Sequence, residues 1–189
     1  MLFRSTQELI DYAKKNPNKL FYASIGQGSG HHLVMELFKS RTGIELVHVP
    51  FKTNPQAHTD IVANQVQVMF EGPAINPLVR SGKLRGLASS GATRARGLSE
   101  LPTLGETILP GFDVSTWFGL SVPAGTPRPI IDRLNKETVE WLKSPAAQEK
   151  LFPNGFDLLP STPEQMNERI RTEYPIWTKV MRSVGIEPE

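Results

Sequence analysis

The chain has 189 residues and a formal net charge of +2, from 21 basic and 19 acidic side chains. The basic residues are spread along the chain, which argues against a nucleic-acid-binding protein, and the absence of cysteine excludes disulfides, cysteine zinc sites and thiol nucleophiles. No apolar run approaches the roughly 20 residues that a membrane span needs, so we expect no direct insertion into a membrane.

The first predicted element is a helix that begins after Ser5. Ser5 occupies the N-cap position, Glu8 occupies the capping-box position, and Asn16 and Pro17 end the helix. A secretory signal peptide begins with a basic segment followed by an apolar one. This pattern is not found, so no signal peptide is expected in the chain as given.

Strands and helices then alternate. The predicted strands are 19–24, 45–49, 66–70 and 84–89, and the predicted helices between them are 33–42, 56–64 and 75–81. Short turns join these elements, which is typical of an α/β fold with a mostly parallel sheet. Ligands of such folds bind at the carboxyl ends of the strands.

The second half of the chain has fewer predicted elements. They are an irregular stretch, a strand, a helix and an extended stretch, at 91–112, 114–122, 129–142 and 156–159. A final helix begins with Thr162 as N-cap and Pro163 at its first position, and continues to about residue 184. Pro175 lies inside this helix and should kink it.

The glycine-rich turn at residues 24–32 is the strongest candidate for a binding site. Its sequence is Ser-Ile-Gly-Gln-Gly-Ser-Gly-His-His, between a predicted strand and a predicted helix. Glycines allow backbone N–H groups to approach an anion closely at a helix N-terminus. We expect these N–H groups and the Ser29 hydroxyl to surround one point, which suits a carboxylate or a phosphate. The alternative is a turn whose groups bond only to one another.

Common enzyme motifs do not match this turn. Glycines at 26, 28 and 30 give GxGxG where dinucleotide binding needs GxGxxG, and no Lys-Ser or Lys-Thr pair follows them as in a P-loop. A nucleophile elbow, GxSxG, also fails, because Gln27 and His31 stand where it needs glycines. We therefore assign no catalytic residue and no cofactor.

The remaining candidates are single side chains. Glu71 follows a predicted strand and could accept a hydrogen bond from a ligand ammonium or hydroxyl, and Lys52 could attract an anion. Each could equally be an ordinary solvated residue. Trp117 and Phe118 are more typical of a core than of a ligand platform.

The four histidines are not predicted to bind a metal ion. His31 and His32 are adjacent on a helix and point about 100° apart. His32 could direct its imidazole toward the anion while His31 faces the solvent. His48 and His58 have no carboxylate at ligand spacing, so we interpret them as an ordinary strand residue and an ordinary helix residue.

The order of motifs along the whole chain resembles the Bug or TctC family, the periplasmic solute receptors of tripartite tricarboxylate transporters. A Lys-Leu-aromatic strand, the Ser-x-Gly-x-Gly-Ser turn with its histidine, and a Glu-Leu-Phe helix match residues 19–22, 24–33 and 36–38. Further matches follow in the family's order at residues 48–52, 65–70, 81–85, 101–103, 117–120 and 123–127. Each match is weak by itself, but the ordered set is specific.

The resemblance implies a two-lobed α/β receptor, similar to type II periplasmic binding proteins, that closes on a small organic anion. Such receptors hold a carboxylate with donors from two strand–helix loops, one in each lobe, and deliver it to a membrane permease. The matching positions of one loop are Ser24, Gly26, Gly28, Ser29 and His32. The other loop would precede Met1. Lys52, Glu71 and Trp117 complete the set of candidate ligand-binding residues.

The resemblance also predicts how the chain is divided. It looks like a truncated family member that lacks roughly the first hundred residues. Residues 1–117 would form the complete second lobe, and residues 118–189 would return to complete part of the first. Family members are periplasmic, whereas a truncated product could remain in the cytoplasm.

The predicted function is a non-enzymatic receptor for a small organic carboxylate. The identity of the solute is not predicted, because Glu71-Gly72 stands where the family often has Asp-Asn, and Thr53 stands where it often has glycine. Two alternatives remain open. One is the effector-sensing domain of a regulator, and the other is a hydrolase or transferase that uses the Ser29 turn.

Overall fold

The computed structural model describes residues 3–187, as eight α-helices, three β-strands and two short 3-10 helices. The strands are β1 (Phe21–Ser24), β2 (Val47–Pro50) and β3 (Val68–Met69). The helices are α1 (Thr6–Lys15), α2 (Gly30–Thr42), α3 (Asn54–Val62), α4 (Asn76–Arg80), α5 (Leu104–Thr107), α6 (Arg128–Leu142), α7 (Pro145–Leu151) and α8 (Pro163–Ser183). The 3-10 helices are Pro73–Ile75 and Arg96–Leu98.

The three strands form one parallel sheet in the order β2-β1-β3. Tyr22 of the central strand lies opposite His48 on one side and Val68 on the other. All strands of a parallel sheet end at the same edge, so the segments after Ser24, Pro50 and Met69 are neighbours. This edge carries the glycine-rich turn, called here the glycine-rich loop (residues 24–32).

The core lies between the sheet, α1 and α2. Its buried side chains come mainly from the apolar faces of the two helices and from the strand region; they include Leu9, Ile10, Ala13, Leu20, Tyr22, Val34, Met35, Phe38, Ile44 and Leu46. Ala23, Ala57 and Val66 form a smaller buried cluster on α3's side of the sheet. The local sequence starts α1 as predicted, because the Ser5 hydroxyl oxygen accepts the N–H of Glu8. The Glu8 carboxylate accepts the N–H of Arg4, not that of Ser5.

Two predicted strands are wrong. The segment 84–89 makes only a single bridge, between Ser89 and Thr103, and the segment 114–122 has no ladder partner among residues 3–187. A β-propensity pattern needs a neighbouring strand to become a strand. The prediction of Phe118 as a core residue is also wrong, since it is 83% exposed.

Two helices differ from the predictions in informative ways. Helix α2 begins at Gly30 instead of residue 33, which places His31 and His32 in its first turn. Helix α7 was not predicted, although Ser144 caps it and Pro145 occupies its first turn. Helix α8 begins at Pro163 and continues through Pro175; its kink stays a prediction.

Few side chains in the second half of the chain are buried. After residue 117, only Ala147 and Val180 are buried among the described residues, and α6 buries none of its fifteen residues. Helix α8 packs against α2, and its Trp177 contacts the core. No helix in residues 3–187 combines the length and the apolar character that crossing a membrane requires.

Candidate functional site

The glycine-rich loop connects β1 to the N-terminus of α2. Gly26 has φ of +121° and Gly28 has φ of +78°, values that residues with a Cβ rarely adopt. A Cβ at Gly26 would meet no atom within 4 Å, so the requirement for glycine is conformational and not a matter of space. The two glycines turn the chain sharply between Ser24 and the start of α2.

Several polar groups of the loop bond to one another. The Ser29 hydroxyl donates to the Gly26 carbonyl at 2.7 Å, and its oxygen accepts the N–H of His32 at 3.4 Å. The N–H of Gly28 donates to His32 Nδ1 at 3.1 Å. Ser29 therefore acts as the N-cap of α2, and Nδ1 of His32, whose imidazole was expected to turn toward an anion, accepts a hydrogen bond from the loop's own backbone.

The N-terminus of α2 nevertheless retains free donors. The first N–H groups of a helix have no intrahelical acceptor, and the N–H groups of Gly30 and His31 have no acceptor within residues 3–187. The positive end of the helix dipole lies at the same point. What the loop offers to an anion is thus a pair of backbone donors at the start of a thirteen-residue helix.

The stacked rings of Tyr22, His32 and His48 lie against the loop. His48 packs against both Tyr22 and His32, with ring centroids 4.9 Å and 4.2 Å away, and His48 Nε2 is 2.6 Å from Ser24 Oγ. Our interpretation of His48 as an ordinary strand residue missed this contact. Tyr22 donates its hydroxyl to Glu36 at 2.5 Å, which Lys39 also contacts at 2.7 Å.

Burial determines the protonation state of the three stacked rings. It lowers the pKa of His48 to about 4, with repulsion from His32 adding to the effect. Burial also lowers the pKa of His32, and burial followed by the hydrogen bond to Glu36 raises the pKa of Tyr22. All three rings are therefore neutral at pH 7, and the stack is a structural support without a net charge on its rings.

Glu71 lies at the end of β3 and holds two histidines. His31 Nε2 donates to Glu71 Oε1 at 3.1 Å and His58 Nε2 donates to Oε2 at 2.8 Å, while the N–H of Gly72 donates at 2.7 Å. The side chain of Glu71 is only 5% exposed. We call Glu71, His31 and His58 the Glu71 cluster.

The Glu71 cluster corrects three expectations. His31 does not face the solvent freely, His58 is not an ordinary helix residue, and Glu71 is not a solvated turn acid, because each bonds within the cluster. Burial alone would raise the pKa of Glu71, but the hydrogen bonds from His31, His58 and Gly72 outweigh it and lower that pKa. The sequence separations of 40 and 13 residues hid the contacts. The signal that was available was the position of all three residues near the carboxyl edge of one sheet.

The two remaining candidate residues, Lys52 and Trp117, belong to neither the glycine-rich loop nor the Glu71 cluster. Lys52 is exposed, in the turn after β2, at the edge where the N–H of Phe51 donates to the Ser24 carbonyl. Trp117 is half-buried against α8, where its indole N–H donates to Glu173 at 3.0 Å and Arg169 lies 5.3 Å from its ring. No group of three His, Asp or Glu side chains in residues 3–187 is arranged to hold a metal ion.

The geometry argues against the Ser29 turn as an acyl-transfer site. A nucleophilic serine needs a base within hydrogen-bond reach and access to the substrate. Ser29 donates to a carbonyl, and its hydroxyl has no hydrogen bond to a basic side chain within residues 3–187. Ser24 does lie beside an imidazole, but it is 0% exposed, so its hydroxyl is not accessible to a substrate.

A family model described as "Tripartite tricarboxylate transporter family receptor" matches residues 3–186. The protein in the tcbD–tcbE intergenic region of Pseudomonas sp. strain P51 is 34% identical over 181 residues, which cover 95% of this chain and 54% of that protein. Protein BugT of Bordetella pertussis is 34% identical over 182 residues, with 96% and 56% covered. The chain thus spans about half the length of these curated relatives.

Solved structures give the same result for the fold. Rpa4515 of R. palustris with adipate superimposes with a TM-score of 0.87 at 35% identity, over 99% of this chain and 63% of that one. The periplasmic binding protein BugD gives 0.84 at 29% identity, over 100% and 64%. MatC from Rhodopseudomonas palustris with bound malate gives 0.78 at 27%, over 94% and 62%. The predicted α/β fold of the periplasmic-binding-protein type is confirmed.

Proposed function

Because this chain belongs to the tripartite tricarboxylate transporter receptor family, we propose that it is part of a receptor for a small organic carboxylate, held by the glycine-rich loop. The observation that carries this proposal is the pair of free N–H groups of Gly30 and His31 at the start of α2. A carboxylate has two acceptor oxygens and a negative charge, so it suits both the donors and the helix dipole. The names of two solved relatives record adipate and malate as ligands.

The partners and location follow from the same proposal. The receptor would deliver its carboxylate to the membrane permease of a tripartite transporter, and it would act in the periplasm, as the name of BugD states for that relative. Ser24, Gly26, Gly28, Ser29 and His32 build the loop. Lys52, Glu71 and Trp117 are proposed to contribute to the ligand's surroundings.

We expect the 189-residue chain to bind such ligands weakly. One loop supplies only part of the donors that a closed cleft would supply, and open solvent weakens hydrogen bonds. Titration of ¹⁵N-labelled protein with adipate or malate should shift the amide resonances of Gly28, Gly30 and His31, with a dissociation constant on the order of millimolar. Equal amounts of sodium chloride and of 1,6-hexanediol, which lacks the carboxylates, should leave these resonances in place.

Two glycine variants test whether the loop is the site. Gly28→Val places a branched side chain at φ of +78°, and Gly43→Val does the same at φ of +67°, at the opposite end of α2. A Cβ at Gly28 would approach only Ile186, at 3.9 Å, so the change acts mainly through the backbone. Gly28→Val should abolish the ligand-induced shifts, and Gly43→Val should retain them. Shifts that persist in Gly28→Val, or that appear only around Lys52, would contradict the proposal.

We also propose that residues 1–117 form one lobe and that residues 118–189 complete part of another. The three strands and nearly all of the core lie in the first segment, whereas α6 and α7 together bury one residue, Ala147. Amides in segments with few buried contacts open easily. Hydrogen exchange should therefore be about two orders of magnitude faster in α6 and α7 than in β1 and α2. Equal protection would show that the chain folds as one unit.

A further inference from the structure

The Glu71 cluster lies directly beside the proposed anion site. His31 contributes both a free backbone N–H at the start of α2 and the imidazole that donates to Glu71 at 3.1 Å. A carboxylate bound at that N–H group and the carboxylate of Glu71 would thus contact the same residue, one at its backbone and the other at its imidazole. Two neighbouring like charges repel each other unless a positive charge compensates them.

The imidazole of His31 can supply that positive charge. His31 Nε2 donates to Glu71, and His31 Nδ1 is buried without a hydrogen-bond partner in residues 3–187. In the neutral ring, Nδ1 is the nitrogen with a free lone pair, so it is the position that takes up a proton. Nδ1 is also the ring nitrogen nearer to the backbone N–H of the same residue. A proton there gives the His31 ring a positive charge while Nε2 keeps its hydrogen bond to Glu71.

The imidazole of His58, which contacts the second oxygen of Glu71, can carry a positive charge as well. Its Nε2 donates to the second oxygen of Glu71 at 2.8 Å, and its side chain is 15% exposed. With both imidazoles neutral the cluster has a charge of −1, and one added proton brings it to zero. Imidazole is the side chain that gains a proton near neutral pH.

We propose that anion binding at the glycine-rich loop is linked to the uptake of one proton by the Glu71 cluster. This inference rests on the proposed function of the loop. The proton comes from the solvent and resides on His31 or His58, and no other group changes its bonding. The lowered pKa of Glu71 supports the assignment, since the carboxylate stays ionised and the histidines accept the proton.

Other charged groups face the site from the neighbouring elements. His32 and Glu36 lie on α2 and His48 on β2, Lys39 contacts Glu36, and Lys52 follows β2. Burial lowers the pKa of both His32 and His48, so these two rings stay neutral at pH 7. The Glu71 cluster instead places two imidazoles on one carboxylate, and one of them, that of His31, belongs to the first turn of α2.

The test is the pH dependence of adipate or malate affinity, measured by NMR titration between pH 6 and pH 8. Uptake of one proton should weaken binding by about threefold to tenfold per pH unit as the pH rises. The imidazole resonances of His31 or His58 should move toward their protonated positions when ligand is added at pH 7.5. A purely structural role of the cluster would not move them.

Two variants with the same change in charge separate the cluster from the general charge of the protein. Glu71→Gln removes the central carboxylate and should reduce the change in affinity to less than about twofold over the whole range. Asp60→Asn also removes one negative charge, on the same helix as His58 but on a different face of it. This control should keep the full pH dependence. If Glu71→Gln perturbs the fold, His58→Asn provides a second test and should reduce the slope.

The outcomes distinguish the two proposals. Absence of binding at every pH overturns the proposed function together with the proton linkage. Binding at the loop without pH dependence, or with equal slopes in the wild type and in Glu71→Gln, overturns the linkage alone. Binding that strengthens as the pH falls, with histidine protonation and a flat profile in Glu71→Gln, supports both.

Discussion

Replacing Glu71 with alanine should lower the free energy of unfolding by about 2–4 kcal/mol. The change removes a carboxylate that is 5% exposed and leaves three donors, from His31, His58 and Gly72, without an acceptor. Urea-induced unfolding followed by circular dichroism at pH 7 measures this loss. Glu71→Gln keeps one acceptor oxygen and a similar shape, so it should lose less than the alanine variant.

The same carboxylate has a defined pH signature. Its pKa is lower in the folded protein than in the unfolded chain, so its stabilising effect is complete above the unfolded value of about 4.5 and is lost as the pH falls through the folded value. The difference in stability between the wild type and Glu71→Gln should therefore shrink below about pH 4.5. A difference that is constant from pH 6 to pH 3 would show that the charge of Glu71 does not stabilise the fold.

His48 should destabilise the protein in a different pH range. Its pKa is about 4 in the folded protein, against 6.5 in the unfolded chain. Between these values the unfolded chain binds more protons, so stability falls as the pH decreases from 6.5 to 4. The full difference corresponds to about 3 kcal/mol, and partial solvent access reduces it to about 1–3 kcal/mol.

His48→Phe isolates this effect. Phenylalanine keeps an aromatic ring in contact with Tyr22 and His32 but cannot gain a proton. Urea unfolding at half-unit steps from pH 7 to pH 4 should show a smaller slope in the variant than in the wild type. Identical slopes in the two proteins would assign the acid sensitivity to other groups.

The sequence was a good guide to elements that are stabilised locally. The caps at Ser5 and Thr162 predicted the starts of α1 and α8, and the strand-turn-helix pattern predicted β1, the loop and α2. It failed for the strand predicted at 114–122, because a strand also needs a partner, and none lies within residues 3–187. Local sequence contains no information about such a partner.

At the candidate site, too, local features could be predicted from the sequence and long-range contacts could not. The loop and its glycines were predictable because turn chemistry is local. The Glu71 cluster and the Ser24–His48 contact were missed because they depend on the strand order β2-β1-β3, which brings together residues far apart in the chain. Reading the histidines as positions at one sheet edge, and not one at a time, would have shown that they were neighbours.

The exposed apolar side chains in the second half of the chain have a consequence inside a cell. Phe118, Leu120 and Leu159 are 63–83% exposed, and the first two belong to a segment with alternating apolar residues that has no ladder partner in the described part of the chain. Chaperones and quality-control proteases act on exposed apolar chain of this kind. A cell that makes the 189-residue chain by itself should therefore hold it at a low steady-state level, whatever the stability of the sheet and its glycine-rich loop.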